Sequence, residues 1–320
     1  MPEWRISARG ATAALLALLA LDIVLVGTAL QSTRATDTDT SPLSHASSTS
    51  DPAEPLVSPS TSPSPTATAT ATATSPTAAK APLQTMLVAL DDRRAWRVAS
   101  GSCSAGGAAL AVTADGGRTW TKGRVTLRRI VRLRAEGSQV AFAVGANSTC
   151  AAEIRDTVNG GSTWTSTGDV KTAWFRDPKD PRLVKAPGPV SSQPCGKRAV
   201  LDLAVVATKS ARALCADGLV RSTANNGGAW TDVGTVDGAV ALAVPAARPA
   251  ETYVARLGAP DCAGVQILRV RPQATTSCVV RAIPKGPGQI AMSLIDGGGW
   301  LAVGDTTMRS TDDLVTWAAS

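Results

Sequence analysis

One eight-residue pattern recurs along the C-terminal three quarters of this chain and limits the folds open to it. It runs from Thr113 through Asp115, Gly116, Gly117 and Thr119 to Trp120. It returns from Thr157 through Asn159, Gly160, Gly161 and Thr163 to Trp164, and from Thr223 through Asn225 and Gly227 to Trp230. A last copy runs from Ser310 through Asp312, Leu314 and Thr316 to Trp317. Self-similarity at intervals in the ~40-residue range belongs to propellers, solenoids and arrays. The pattern has the chemistry of a hairpin turn. Asp or Asn caps turn amides and tolerates left-handed dihedrals, and paired glycines supply positive φ. The flanking Thr and Trp suit strands, and each Trp brings a large apolar area to one fixed point of its repeat. With Leu314 and Val315 instead of paired glycines, the fourth copy is expected to turn differently.

The pattern resembles the Asp box, S/T-x-D-x-G-x-T-W, of the BNR-repeat propellers. That group includes sialidases, Vps10-type receptors, some glucanases and Ycf48-type photosystem II assembly factors. Asn159, Asn225, Ala229 and Leu314 depart from it. The resemblance implies an all-β propeller in which Asp115, Trp120, Asn159, Trp164, Asn225, Trp230, Asp312 and Trp317 are structural, on the blade periphery and away from the binding face. It implies nothing about activity.

A second repeat lies upstream of each box. Residues 86–100, 130–144, 171–186, 200–216, 239–256 and 289–304 each read as strand, tight turn, strand. Their second strands align on Trp96, Phe142, Leu183, Leu214, Tyr253 and Trp300. Six inner hairpins predict a six-bladed β-propeller over 83–320, with boxes in blades one, two, four and six. A five-bladed ring with 171–197 as an insertion is the main competing count, and five to seven blades fit. The cysteines, Cys103, Cys150, Cys195, Cys215, Cys262 and Cys278, all fall in this region. An even number in an exported domain suggests disulfides. Cys262 and Cys278 flank one predicted hairpin, whereas Cys103–Cys150 and Cys195–Cys215 would tie neighbouring blades.

Export is indicated by the N-terminus. Residues 1–10 carry Arg5 and Arg9, and 11–30 is apolar with one charge, Asp22. At ~1.5 Å per residue that segment can cross a hydrocarbon core of about 30 Å. Arginines on its N-terminal side predict a single-pass anchor with a cytoplasmic N-terminus. Cleavage near Ala29, giving a secreted product, is the alternative. Residues 31–82 turn to Ser, Thr, Ala and Pro, a composition that cannot bury enough apolar surface to order itself and reads as a disordered stalk.

Composition then narrows the chemistry. The only histidine, His45, lies in the stalk, so imidazole-dependent triads and His-ligated metal sites are not expected. No C-x-x-C pair is present, and neither metal nor cofactor is expected. The chain is basic, at a formal +7, and its densest basic run includes Arg128, Arg132 and Arg134, which strict alternation places on one strand face. Facing the channel, these would form an anion-binding mouth; the alternative is a solvated strand. Tyr253 and Glu251 share a strand face, as a sialidase-type nucleophile and its helper would, yet Tyr253 occupies the position filled by Trp96 and Phe142. Asp91, Asp92, Asp177, Asp180 and Asp296 could pair for glycoside hydrolysis but sit where turns need Asp.

The sequence thus predicts a monomeric, bacterial-type envelope propeller, binding or scaffolding rather than catalytic. Its expected partner is an envelope protein or an anionic glycan or wall polymer, with no role for nucleic acid. A glycan hydrolase and an assembly factor for a membrane complex are the alternatives.

Overall fold

In the computed structural model, residues 80–166 and 168–320 are described. The expected anchor (11–30), His45 and the stalk up to residue 79 lie outside them. The described residues form six antiparallel sheets, each built from consecutive strands. Their innermost strands pack side by side in a closed ring. Blade one is typical: Thr85–Ala89, Ala95–Ala99, Ala109–Thr113 and Thr121–Gly123, paired in that order. Blades four, five and six repeat this four-stranded meander, starting from Val200–Ala207, Ala239–Ala243 and Ile290–Ile295. Blade two, starting at Arg129–Ala135, has three strands, with a single bridge from Asp156 to Thr165 marking a fourth.

A meander of this kind gives the ring two distinct ends. Inner strands start at one end, which also carries the turns between second and third strands. At the other end lie the inner hairpin turns and the four eight-residue repeats. All three disulfides, Cys103–Cys150, Cys195–Cys215 and Cys262–Cys278, staple the starting end, with Cα separations of 5.4–5.6 Å.

The repeat end is locked by tryptophans. Trp96 donates its indole N–H to the carbonyl of Gly137 in the next blade's inner turn, and Trp164 of that blade packs edge-on against it at 6.4 Å. Trp300 does the same with Asp91 and Trp120 across the seam between blades six and one, and Trp174 with Thr208 and Trp230 between blades three and four. Trp96, Trp174 and Trp300 are at most 1% exposed, while the repeat-closing Trp120, Trp164, Trp230 and Trp317 are half-buried. The deeply buried anchors are therefore those of the second strand, and the repeat tryptophans close over them.

The repeats themselves share one turn. In the first, Thr113 Oγ1 accepts from the Gly117 N–H (2.9 Å) and donates to Asp115, whose carboxylate accepts from the Thr119 N–H (3.0 Å) and hydroxyl (2.6 Å). Asn159 and Asn225 accept the matching amides of Thr163 and Ala229. The fourth copy, expected to differ, does not: the Leu314 N–H donates to Ser310 Oγ at 3.0 Å and Thr316 to Asp312. Asp313 (φ 53°) and Leu314 (φ 71°) adopt the left-handed conformation that Gly116 (φ 80°) and Gly117 (φ 87°) supply elsewhere. Leu314 is 2% exposed, so burial of its side chain offsets a backbone strain of about 1–3 kcal/mol.

Blade three corrects the hairpin alignment. Its strands are Phe175–Arg176, Val184–Lys185 and Ser191–Ser192. Trp174, at the head of the first, reaches Thr208 at the repeat end, and Pro178, after it, accepts from Arg129 at the starting end. This strand thus runs opposite to the other innermost strands, in the direction of a second strand. Trp174, not Leu183, takes the place of Trp96 and Trp300. Among the described residues the blade has no first strand, and its second strand faces the channel.

Candidate ligand-binding channel

The innermost strands surround a cavity of about 890 Å³. At the starting end it is closed by the segment leading into blade one, where the Leu83 N–H donates to Leu201 O of blade four at 3.0 Å. Leu83 is 4% exposed. At the other end the lining residues Arg134, Gly168, Thr172, Ala207, Thr208 and Ala246 are exposed. The mouth therefore opens on the same end as the eight-residue turns, whereas the resemblance implied a binding face away from them.

A bulge decides which arginines reach this space. In blade two the strand register slips between Ile130 and Arg132, leaving Val131 as an extra residue. One extra residue exchanges the faces of everything beyond it. Arg129, Arg132 and Arg134 consequently share a face, and Arg128 does not. Arg128 turns outward, donating to the carbonyls of Cys103 (2.7 Å) and Ser104 in blade one, and is not part of the channel lining. Of the three sequence candidates, Arg132 and Arg134 line the cavity.

The missing first strand of blade three shapes the rest. Without it, the carbonyls along the inner edge of the second strand would lack partners, a cost of about 1–3 kcal/mol each. Arginines supply them: Arg132 Nη1 donates to Trp174 O (2.7 Å) and Arg129 Nη1 to Pro178 O (2.8 Å). Arg132 also lies over the Phe142 ring at 5.2 Å. Burial, with Arg134 close by, lowers its pKa to about 10. Arg176, 4% exposed, lines the cavity from blade three, and burial lowers its pKa to about 10 although Asp202 opposes the shift.

Two carboxylates line the cavity among the described residues, Asp156 and Asp202. Asp202 Oδ1 accepts from the Leu203 N–H and Oδ2 from the Leu242 N–H, both at 2.8 Å, clipping blade four to blade five. Burial raises its pKa against the pull of Arg176. Burial also raises that of Asp156. Sequence reasoning missed Arg176 and Asp202. Asp202 had a visible signal, a lone charge within the apolar strand Val200–Ala207. Arg176 had none, because its exposure depends on the absent strand.

The other candidates stand apart from the channel. Asp91 accepts from the Arg93 and Arg94 amides, Asp177 from those of Lys179 and Asp180, and Asp180 from Arg182, all within their own turns. Asp92 and Asp296 do not line the cavity either. Tyr253, 5% exposed, donates to Glu251 Oε2 at 2.7 Å. Arg248 joins that glutamate to Asp313 of blade six, making an interblade tie.

No family model matches this sequence, and no curated protein does. Among solved structures, the chain is similar over 74% of its length to the GH74 enzyme of Niastella koreensis (15% identity, TM-score 0.41), of which it spans 46%. It is similar over 75% of its length to YCF48 bound to D1 peptide (16% identity, TM-score 0.28), spanning 68% of that chain. Over 74% it is similar to the WD40 β-propeller domain of Doa1 (12% identity, TM-score 0.42), spanning 81% of it. At such identities the likeness concerns the fold and not the chemistry.

Proposed function

We propose that this chain is a membrane-anchored, extracytoplasmic propeller that binds an anionic ligand or an acidic protein surface through its channel without transforming it. The observation that carries this reading is the arginine-lined cavity of Arg132, Arg134 and Arg176. In a partly desolvated cleft such a set focuses positive potential on an incoming anion. Hydrolysis of glycosides needs two carboxylates in defined roles, and both oxygens of Asp202 are already committed to backbone amides. Three disulfides accord with an oxidising compartment, and the apolar segment 11–30 supplies the anchor in this reading, with the N-terminus cytoplasmic. The eight-residue repeats serve as Asp-box-type structural turns.

The test is a pull-down from envelope extracts beside a glycan-array screen, with the Arg134→Gln variant run in parallel. Hits that weaken in the variant support the channel as the binding surface. Hits indifferent to it, or none above background, overturn the reading. The competing hydrolase reading would rest on Asp156, a channel carboxylate whose proton affinity is raised by burial. Turnover of chromogenic glycosides that disappears in Asp156→Asn would establish it.

A further inference from the structure

Resting on that binding reading, we infer that the Arg176 guanidinium anchors a small monocarboxylate whose body is apolar. Arg176 is 4% exposed and lines the cavity. Its guanidinium makes no hydrogen bond or close ion pair with a described residue, and Asp202 acts on it only as a neighbouring charge. A guanidinium carries five N–H donors, and those of Arg176 face the channel with no acceptor among the described residues, leaving them to whatever enters it. Asp202 is not such an acceptor, since both its oxygens are held by the Leu203 and Leu242 amides.

Charge and wall chemistry select the ligand. The ionic side chains lining the cavity are Arg132, Arg134 and Arg176 against Asp156 and Asp202, an excess of one positive charge. One carboxylate balances it, whereas a phosphate dianion overshoots. The planar guanidinium fork also matches a carboxylate with two parallel hydrogen bonds. Around these charges the walls are chiefly aliphatic, including Met86, Leu133, Val205, Val244 and Leu294. Such walls reward an alkyl or aryl body, and apart from the charged groups only Thr172, Thr208 and Ser293 offer side-chain hydroxyls to a sugar acid.

NMR titration of the full-length chain with hexanoate, 1-hexanol, glucuronate and inorganic phosphate tests this. Hexanoate is expected to bind at least about tenfold more tightly than the other three, and Arg176→Gln to weaken it by at least about tenfold. If that variant does not fold, the difference between hexanoate and hexanol decides alone, because the two share a body and differ in charge. Hexanol binding as tightly as hexanoate overturns the role of Arg176. Glucuronate or phosphate binding in preference to hexanoate overturns the monocarboxylate and leaves the anion-binding reading standing. Silence from all three anions overturns this inference, and the pull-down then judges the parent reading separately.

Discussion

Within each eight-residue turn, the first strand-end hydroxyl and the Asp or Asn two residues on do the work of fixing the backbone, and the choice between Asp and Asn leaves a titratable signature. Hydrogen bonds from the Thr119 hydroxyl and amide hold the Asp115 carboxyl at a pKa of about 2, and those of Thr316 do the same for Asp312. A carboxyl depressed on folding contributes stability that is complete above its unfolded value, near 3.8, and is lost as pH falls through its folded value, near 2. The repeats with Asn159 and Asn225 contribute nothing of this kind. Asp115→Asn and Asp312→Asn should therefore flatten the loss of thermal stability between about pH 4 and 2 while leaving the turn intact, as followed by circular dichroism. An unchanged acid limb in the double variant would sink this account. Leu314 shows the complementary limit of residue-level reading. Its side chain argued against the glycine turn, but burial in the core outweighs the left-handed strain.

At the scale of the strand and blade, the indole locks set the stability. Replacing Trp96, Trp174 or Trp300 by Ala removes a fully buried ring and its N–H bond to the next blade, and should cost about 3–5 kcal/mol in denaturant titration. The half-buried Trp120, Trp164 and Trp230 should cost less, roughly 1–3 kcal/mol. Equal costs in the two sets would mean that the repeat tryptophans carry the seams. Hairpin spacing made most of this legible, since five inner hairpins lie where alternation puts them, while the three disulfides are one of the fifteen pairings that six cysteines allow. Blade three was not, because 171–186 reads as a hairpin whichever two strands it supplies. Only the ring reveals that these are the second and third. The bulge at Val131 was hidden for a similar reason: period-2 counting assumes an unbroken register, and a slip is visible only against the partner strand. Both gaps converge on the candidate site: Arg128, which alternation grouped with Arg132 and Arg134, turns away from the cavity those two line, and Arg176 carried no signal in the sequence.

For the molecule as a whole, the ring must close without a shared strand. Among the described residues each sheet is made of consecutive strands, so no sheet joins the first described strand to the last. The seam between blades six and one relies instead on the Gln84 and Thr85 amides donating to Gly288 O, the Ala89 N–H to Ser293 Oγ (3.0 Å) and the Trp300 indole to Asp91 O (2.7 Å). Neither disulfide nor sheet ladder crosses it, whereas Cys103–Cys150 ties blade one to two and Cys195–Cys215 ties blade three to four. The hydrogen bonds and packing of Thr85–Ala89 against Ile290–Ile295 therefore carry closure here, and removing one of those bonds should open this seam locally. Ser293→Ala leaves the Ala89 amide without its acceptor, a cost of about 1–3 kcal/mol confined to that seam. Hydrogen exchange should then accelerate in Thr85–Ala89 and Ile290–Ile295 while Val200–Ala207, on the far side of the ring, keeps its protection. Uniform acceleration around the ring would instead mean that the six blades open as one cooperative unit and that closure is shared equally among the seams. The distinction matters for the channel, because its walls at Met86 and Leu294 belong to the two blades that meet at this seam.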